Sequence, residues 1–234
     1  MIHGTTIKDV HKKLVRYILE NGEMADNERG GKWLECLDVA TRLTNPLNLD
    51  INQSYRKTLP ATIFTALQNG IYSNKDYPFK PHLIAEYVNE FVSPINNGFT
   101  YTYGNRLRSH FAVDQLDEVI ARLNKNQHSN RAVAVTYDPH LDVLSDEIPC
   151  FMMLDCKIRD NKLHTTGIWR SHDAYMGYYS NLYALQYLVQ YILIYYNKSK
   201  IPSELIDFGS VTTISTSAHI YEEYIDSAKK YVEE

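Results

Sequence analysis

The chain has 234 residues, with 24 Lys and Arg against 28 Asp and Glu, so its formal net charge is −4. With 44% apolar and 22% charged residues it can bury a sizeable core, which excludes an intrinsically disordered chain. The slight acidic excess argues against a nucleic-acid partner, since such binding needs a concentrated positive charge.

The first half of the chain is predicted to be mainly helical. Apolar residues at helical spacing predict a helix over 7–19, with Thr6 as its N-cap and Gly22 at its end. A polar, glycine-containing loop follows at 26–31. Short apolar runs at 37–39 and 47–49 hint at strands. Further helices are predicted over 61–68, 81–91 and 114–123.

The second half of the chain changes to strand patterns. Strands are predicted over 131–137, 151–158, 163–169 and 208–217, with a hairpin turn at 159–162. A helix that is apolar almost all round, and therefore buried, is predicted over 174–196, and an amphipathic helix over 219–232. This order predicts a single α+β domain over residues 1–234. It has one large mixed β-sheet covered by helices, including the long buried one.

The cysteines indicate a reducing compartment. Three of them, an odd number in a chain of this length, are typical of free thiols. The N-terminus has no apolar signal core, and the longest apolar stretch is shorter than the roughly 20 residues of a membrane span. We therefore expect a cytoplasmic protein without a membrane partner. No paired metal-ligand spacing of Cys and His occurs, so no metal is expected.

Cys150 is the cysteine most suited to chemistry, whereas Cys36 and Cys156 fit a core. It lies where a loop meets a strand, and Arg170 follows the returning strand of the hairpin, so the two side chains can meet. A neighbouring cation lowers the pKa of a thiol and makes it a better nucleophile. Taken alone, a buried structural cysteine is the commoner interpretation. A cysteine hydrolase with His172 or His219 as base is a further alternative.

A series of spaced motifs surrounds this pair. The chain contains Pro149-Cys150, then Arg170-Ser171-x-Asp173, Gly177 and Asn181, and finally His219-x-Tyr221; ahead of them lie Arg29, Tyr103-Gly-x-Arg-Leu-Arg and Asn130-Arg131. This set resembles the thymidylate synthase family, which includes pyrimidine hydroxymethylases, and is most similar to its short archaeal form. The resemblance is tight from about residue 101 to residue 226 and loose before that.

The resemblance implies a reaction on dUMP. Cys150 would attack C6 of the pyrimidine, and C5 would then take a one-carbon unit from methylenetetrahydrofolate. The 5′-phosphate would be held by Arg29, Arg170, Ser171 and Arg131, with Arg131 reaching in from the second protomer of a homodimer. Guanidinium groups suit this task because they form charge-assisted, often bidentate hydrogen bonds to phosphate. Taken alone, Arg131 fits a surface ion pair better.

The resemblance also assigns the base, the sugar and the co-substrate. Asn181 would face the pyrimidine edge, where its amide offers the donor and the acceptor that uracil requires, whereas an Asp would suit cytosine better. Without the family pattern, an Asn packed at the start of the buried helix is an equal alternative. His219 and Tyr221 would bind the ribose 3′-hydroxyl, and Asp173 would orient the folate ring. Tyr103 would help to remove the C5 proton through water.

A buried general acid–base carboxylate is expected on the helix before Tyr103. Glu86 is the first choice and Glu90 is the rival, because burial would raise the pKa of either towards the working pH. Solvated helix surface is an equal alternative for both glutamates.

Three departures from the family pattern leave the carrier and the product open. Phe151 follows the nucleophile where many members have His, the tryptophans that usually cover the folate are missing, and the chain ends soon after His219. The carrier is therefore either tetrahydrofolate or a methanopterin-like pterin. Hydride from the carrier would give thymidylate, whereas water would give a hydroxymethyl product.

Two alternatives to a thymidylate synthase remain. The first is a pyrimidine-nucleotide hydroxymethylase acting on dUMP, dCMP or CMP on the same scaffold. The second is a non-catalytic nucleotide- or RNA-binding protein that kept the scaffold.

Overall fold

The framework is a β-sheet, seen in a computed structural model that describes residues 1–44, 81–96 and 98–233, without the side chains of 81–86. Its eight described strands are β1 (Ile2–Gly4), β2 (Glu23–Asp26), β3 (Lys32–Leu43), β4 (Val133–Val135), β5 (Phe151–Arg159), β6 (Lys162–Trp169), β7 (His172–Asp173) and β8 (Asp207–Tyr221). The described helices are α1 (Ile7–Asn21), α2 (Pro81–Val92), α3 (Tyr103–Arg108), α4 (Gln115–Lys125), α5 (Tyr178–Asn197) and α6 (Ile225–Glu233). The strand hinted at 47–49 and the helix predicted over 61–68 lie outside the described residues.

The sheet is mixed, which confirms the predicted fold class. Its strand order is β1-β3-β8-β6-β5-β4, with β2 paired to β3 and β7 paired to β8. The pairs β1–β3, β6–β8 and β7–β8 are parallel, and the remaining pairs are antiparallel. The parallel pairing of β6 with β8 needs a crossover, which α5 supplies.

The predicted hairpin of β5 and β6 is confirmed. Asp160 and Asn161 turn the chain with φ of 51° and 55°, a left-handed conformation that Asp and Asn tolerate in two-residue turns. The turn sets a register in which Phe151 pairs with Trp169. The residues just outside this pair, Cys150 and Arg170, therefore become neighbours at the open end of the hairpin.

The long buried helix is confirmed as α5. Its interior residues, among them Leu185, Leu188 and Ile192, are fully buried. The helix contacts α2, α4 and the sheet, so apolar residues are needed on several sides. It begins at Tyr178 instead of residue 174, because the preceding residues form a turn whose backbone N–H groups donate to Asp173.

The N-terminal helix is also confirmed, with its predicted cap. Thr6 Oγ1 accepts a hydrogen bond from the Asp9 N–H at 3.1 Å, and the Gly22 N–H donates to the carbonyl of Ile18. The buried His11 joins α1 to α6 and to the turn before α5. Its Nδ1 lies 2.9 Å from the Tyr231 hydroxyl and its Nε2 lies 2.9 Å from the Ala174 carbonyl.

The prediction of a helix from residue 219 is wrong for its first three residues, and the next three, Glu222–Tyr224, form a 3₁₀ helix. Strand β8 continues to Tyr221, and the helix α6 begins only at Ile225. The reason is tertiary: Trp33 of β3 pairs with Tyr221, and Asp173 of β7 pairs with His219 on the other side. Strand β3 is likewise longer than the run at 37–39, and β1, β2 and α3 were not predicted.

Candidate active site

The candidate nucleophile lies at the open end of the β5–β6 hairpin. The Arg170 N–H donates to the Cys150 carbonyl at 2.9 Å, so the two residues are backbone neighbours. The Arg170 guanidinium turns back on the loop before the thiol, with Nε donating to the Pro149 carbonyl at 3.1 Å and Nη2 donating to the Ile148 carbonyl at 2.8 Å. Arg170 therefore fixes the loop that carries the thiol and places a positive charge beside it.

Cys150 and Arg170 open into a cavity of about 400 Å³. Aromatic side chains form part of its wall, and both signs of charge reach it. The aromatic residues of the lining are Tyr87, Phe91, Phe99, Tyr101 and Tyr103. The charged ones are Arg29, Arg170, Glu28, Glu90, Asp146 and Glu147.

The pKa of the Cys150 thiol is raised, whereas the expected effect of a neighbouring cation was to lower it. Burial raises the pKa of Cys150, while Arg170 and then Arg29 act in the opposite direction. The cations therefore favour the thiolate, as predicted, but desolvation is the larger effect. Cys36 and Cys156 are free and buried, as expected of core cysteines.

Arg29 reaches the cavity from the loop between β2 and β3. Asn27 Oδ1 shapes this loop by accepting hydrogen bonds from the N–H groups of Arg29 at 2.9 Å and Gly31 at 3.2 Å. Gly30 takes a φ of 81°, which suits glycine. The exposed guanidinium influences the pKa of Cys150, His219 and Tyr221, so one cation acts on all three predicted site residues.

Tyr103 starts α3 and reaches the thiol loop. Its hydroxyl accepts a hydrogen bond from the Phe151 N–H at 3.4 Å, and its ring packs edge-on against Phe91 and Phe151. Burial raises the pKa of Tyr103 well above its usual value. Tyr101 lies beside it and donates to the Ile148 carbonyl at 3.4 Å, and burial raises its pKa to about 12. Both phenols therefore stay protonated and act as hydrogen-bonding groups.

Asn181 is buried in the first turn of α5 and lies behind the cavity wall. The Tyr87 hydroxyl, which lines the cavity, donates to Asn181 Oδ1. Asn181 Nδ2 lies 3.1 Å from His172 Nε2, and His172 Nδ1 lies 2.9 Å from Ser215 Oγ. Asn181 therefore belongs to a hydrogen-bonded chain that runs from the cavity into the sheet.

Asp173 and Ser171 follow Arg170 at the end of the hairpin. Asp173 Oδ1 accepts hydrogen bonds from the N–H groups of Tyr175 at 3.1 Å and Met176 at 2.9 Å, which holds the turn into α5. Burial raises the pKa of Asp173, although these hydrogen bonds oppose the shift. Ser171 is half-buried. Neither residue is part of the described lining of the cavity. The hydrogen bonds that Asp173 accepts give it a structural task in the turn before α5.

His219 and Tyr221 lie near the end of β8. The His219 ring is buried and stacks on Trp33 with centroids 4.1 Å apart. Burial lowers its pKa to about 4, so the ring is neutral. Its Nε2 has no hydrogen-bond partner among the described residues. The Tyr221 ring meets His219 edge-on with centroids 5.1 Å apart.

Two predictions concern residues on which the structure says less. Glu86 lies on α2, and its side chain is among those not described, so its role stays a prediction. The rival Glu90 is half-buried and lines the cavity. Arg131 is exposed just before β4 and is absent from the described lining of the cavity, so this chain does not bring it to Cys150.

The sequence reasoning missed several residues of the site. Tyr87, Tyr101 and Phe99 were not singled out, because their only signal was an aromatic residue close to a predicted site residue. The acidic lining residues Asp146 and Glu147 lie in an ordinary polar loop and carried no signal. Among the residues that the structure describes, no group of three or more His, Cys, Asp or Glu could hold a metal ion. Among the same residues, no helix is long and apolar enough to cross a membrane.

The fold and this cavity define a class: an α+β protein with a free thiol beside an arginine-bearing cavity. The family model "Thymidylate synthase" matches residues 9–234. The chain therefore belongs to the thymidylate synthase family. Members of that family transfer a one-carbon unit from a folate-type donor to a pyrimidine nucleotide.

Curated archaeal proteins are similar to this chain over nearly their full length. One from Methanothermobacter thermautotrophicus is 36% identical over 99% of this chain and 97% of its own length. One from Methanothermobacter marburgensis is 36% identical over 94% of this chain and 92% of its own length. One from Methanosarcina barkeri is 33% identical over 99% of this chain and 94% of its own length. Each carries the name "Putative thymidylate synthase".

Proposed function

We propose that this protein is a thymidylate synthase that methylates C5 of dUMP to give dTMP. The Cys150 thiolate adds to C6 of uracil, and C5 becomes nucleophilic and bonds to the one-carbon unit of a methylene-tetrahydropterin. C5 then loses its proton as the bond between the one-carbon unit and the pterin nitrogen breaks, which leaves an exocyclic methylene on the base. The released tetrahydropterin supplies a hydride to this methylene and is oxidised to a dihydropterin. Elimination of Cys150 restores the ring and frees dTMP.

The observation that carries the proposal is the shared cavity of Cys150, Arg170 and Arg29. The substrate is a nucleotide whose phosphate is dianionic near neutral pH, and guanidinium groups bind phosphate well. The same two cations favour the thiolate. Ser171, next in the chain after Arg170, would add a hydroxyl donor to the phosphate.

Asn181 and His219 support the assignment of base and sugar. Asn181 uses one acceptor position and one N–H within the protein, which leaves one acceptor and one donor for the N3–H and O4 of uracil. His219 is neutral and keeps an unpartnered Nε2 in the described structure, which fits a role in binding the 3′-hydroxyl together with Tyr221. A buried polar atom without a partner is costly unless a ligand satisfies it.

Proton transfer is assigned to Tyr103 and a glutamate of α2. Tyr103 remains protonated and lies within hydrogen-bond reach of the Phe151 backbone next to the nucleophile, so it can hold a water that takes the C5 proton. Glu86 remains our choice of acid–base carboxylate, and Glu90 is its rival in the cavity wall. Glu86→Gln and Glu90→Gln, compared in one assay, separate the two.

The cavity wall has the chemistry that a reduced pterin requires. Phe99 and Tyr101 offer aromatic faces to a planar ring, and Asp146 and Glu147 offer acceptors to its N–H donors. We propose a methylene-tetrahydropterin, either tetrahydrofolate or a methanopterin-like analogue, as the co-substrate. Asp173, whose Oδ1 caps the turn before α5, would orient its ring.

We propose that the active form is a homodimer. Arg131 is exposed just before the edge strand β4 and is not part of the described lining of the cavity of its own chain, which supports a role in the phosphate site of a second protomer. Sedimentation equilibrium of the wild type checks the oligomeric state. A purely monomeric enzyme with full activity would contradict this assignment.

The decisive experiment is turnover of dUMP and of dCMP, each with methylene-tetrahydrofolate, with the product identified by mass. We expect dTMP from dUMP. A product heavier by one oxygen would identify a hydroxymethylase instead. Tetrahydromethanopterin in a parallel reaction identifies the preferred carrier.

The role of the thiol is tested with 5-tritiated dUMP, since addition at C6 labilises the C5 hydrogen. Cys150→Ala should release no tritium, whereas Cys36→Ala, which alters a buried thiol away from the cavity, should release it at the wild-type rate. If the wild type bound dUMP but released no tritium with either carrier, the chain would be a nucleotide-binding protein and the proposal would fail.

A further inference from the structure

An asparagine can recognise uracil or cytosine, depending on how its amide is turned. In one orientation its carbonyl accepts from N3–H and its NH₂ donates to O4 of uracil. Rotation of the amide by 180° exchanges the donor and the acceptor, and it then matches N4–H₂ and N3 of cytosine. An Asn at this position is therefore selective only if the protein prevents the rotation.

The surroundings of Asn181 define one orientation. Tyr87 donates to Oδ1, and the amide NH₂ faces His172 Nε2 at 3.1 Å. Because an amide NH₂ can only donate, Nε2 must be the accepting nitrogen. The turned amide would place Oδ1 against the lone pair of Nε2, which repels it.

The protonation of His172 is therefore coupled to the orientation of Asn181. His172 is 2% exposed and stacks on Trp169 with centroids 4.7 Å apart and planes 11° apart. Burial lowers its pKa to about 3, so the ring is neutral and carries a single N–H. With Nε2 accepting, the proton is on Nδ1, from which it donates to Ser215 Oγ at 2.9 Å. The amide can turn only if this proton moves to Nε2, in which case the Ser215 hydroxyl donates to Nδ1. Without that hydroxyl, a proton on Nδ1 would be a buried donor with no acceptor, which favours Nε2–H.

We propose that His172, held by Ser215, is a positioning residue that fixes the Asn181 amide and so sets the choice of uracil over cytosine. This inference rests on the proposed function, because it concerns the ring that Asn181 would face. His172 does not touch the substrate and acts only through Asn181. Tyr87 alone cannot fix the amide, since a hydroxyl group can donate or accept, and the same holds for the Ser215 hydroxyl. The Asn181 amide and the proton of the His172 ring can therefore change only together.

Ser215→Ala is the main test, because it removes the acceptor for Nδ1–H without changing the stacked ring. We expect the ratio of kcat/KM for dUMP over dCMP to fall about tenfold, which is the usual effect of losing one hydrogen bond that favours one of two orientations. The effect should appear mainly as a higher KM for dUMP and a lower one for dCMP. His172→Gln, whose amide can again accept from Asn181, should retain more of the selectivity than His172→Phe.

Ser210→Ala is the matched control. Ser210 lies on the same strand, β8, and its Oγ lies 2.9 Å from Nδ1 of His164, so the variant removes the same kind of contact. Neither Ser210 nor His164 belongs to the described lining of the cavity. The ratio of kcat/KM for dUMP over dCMP in Ser210→Ala should equal that of the wild type.

A second readout does not depend on turnover. The ¹⁵N shifts of the His172 ring, assigned by comparison with His172→Gln, report which nitrogen carries the proton. We expect Nδ1–H in the wild type and a shift of population towards Nε2–H in Ser215→Ala. Nε2–H in the wild type, or an unchanged nucleotide preference in Ser215→Ala, would overturn the inference.

The two readouts separate this inference from the proposed function. A wild type that turns over neither nucleotide would refute the proposed thymidylate synthase. The tautomer of His172, and the binding of radiolabelled dUMP and dCMP by equilibrium dialysis, would still decide whether it orients Asn181. A selective, active wild type whose Ser215→Ala variant is equally selective would refute only the role of His172.

Discussion

Replacement of Arg170 by Gln should slow the reaction of Cys150 with iodoacetamide. Among the neighbouring charges, Arg170 opposes most strongly the effect of burial on the thiol pKa. Two unit charges about 4 Å apart interact by about 1 kcal/mol in water and by about 4 kcal/mol at an effective dielectric constant of 20. Because Arg170 is only half-buried, a value near the lower limit applies, about 1.4 kcal/mol, which corresponds to a tenfold change in thiolate population.

We therefore expect alkylation of Arg170→Gln at pH 7 to be about tenfold slower than in the wild type, with its pH midpoint moved upward. The direction follows because the thiolate is the charged form and loses a cation. Arg170→Lys keeps the charge, although it cannot reproduce the two hydrogen bonds at 3.1 and 2.8 Å to the loop carbonyls, so its rate should lie between the two.

The control for this experiment is Arg42→Gln, which removes a cation of β3 that donates to Thr212 at 3.2 Å. Its alkylation rate should be unchanged. Equal rates and equal pH midpoints for Arg170→Gln and the wild type would refute the electrostatic argument. Equal slowing in the Gln and Lys variants would show that the hydrogen bonds to the loop, and not the charge, decide the reactivity.

Three other predictions test the dimer, the core and the pH dependence of stability. A mixture of inactive Arg131→Ala and Cys150→Ala protomers should regain dTMP formation in an activity assay, because a mixed dimer contains one intact site. Gly167→Ala should lower the free energy of unfolding in urea by about 1–3 kcal/mol, since its Cβ would lie 2.5 Å from the Trp169 ring. Urea titrations should show stability falling as the pH drops from about 6.5 towards 4, by about 1.4 kcal/mol per pH unit for each histidine that takes up a proton only on unfolding. These histidines, whose pKa values burial lowers to about 4, 3 and 4, are His11, His172 and His219.

Elements with a strong local signal were predictable. The helix α1 follows from apolar spacing and a threonine cap, and α5 from an apolar run too long for a strand. The β5–β6 hairpin follows from two strand patterns around a polar turn, and it alone makes neighbours of Cys150 and Arg170. The candidate nucleophile and its cation could therefore be paired before the fold was known.

Tertiary contacts decided the remaining features. His219 lies on a strand because β3 and β7 pair on either side of β8, an effect that the local pattern does not contain. The raised pKa of Cys150 depends on how much water the fold removes, which no neighbouring residue in the sequence reveals.

The sequence by itself determined the residue types of the candidate site and their order along the chain, because chemistry requires a thiol, guanidinium groups and an amide whatever the fold. Only the tertiary structure decided how these groups are held. The hydrogen-bonded chain from Tyr87 through Asn181 and His172 to Ser215 joins α2, α5, β7 and β8. These four residues lie on four separate elements, and only the packing of the elements aligns their donors with their acceptors.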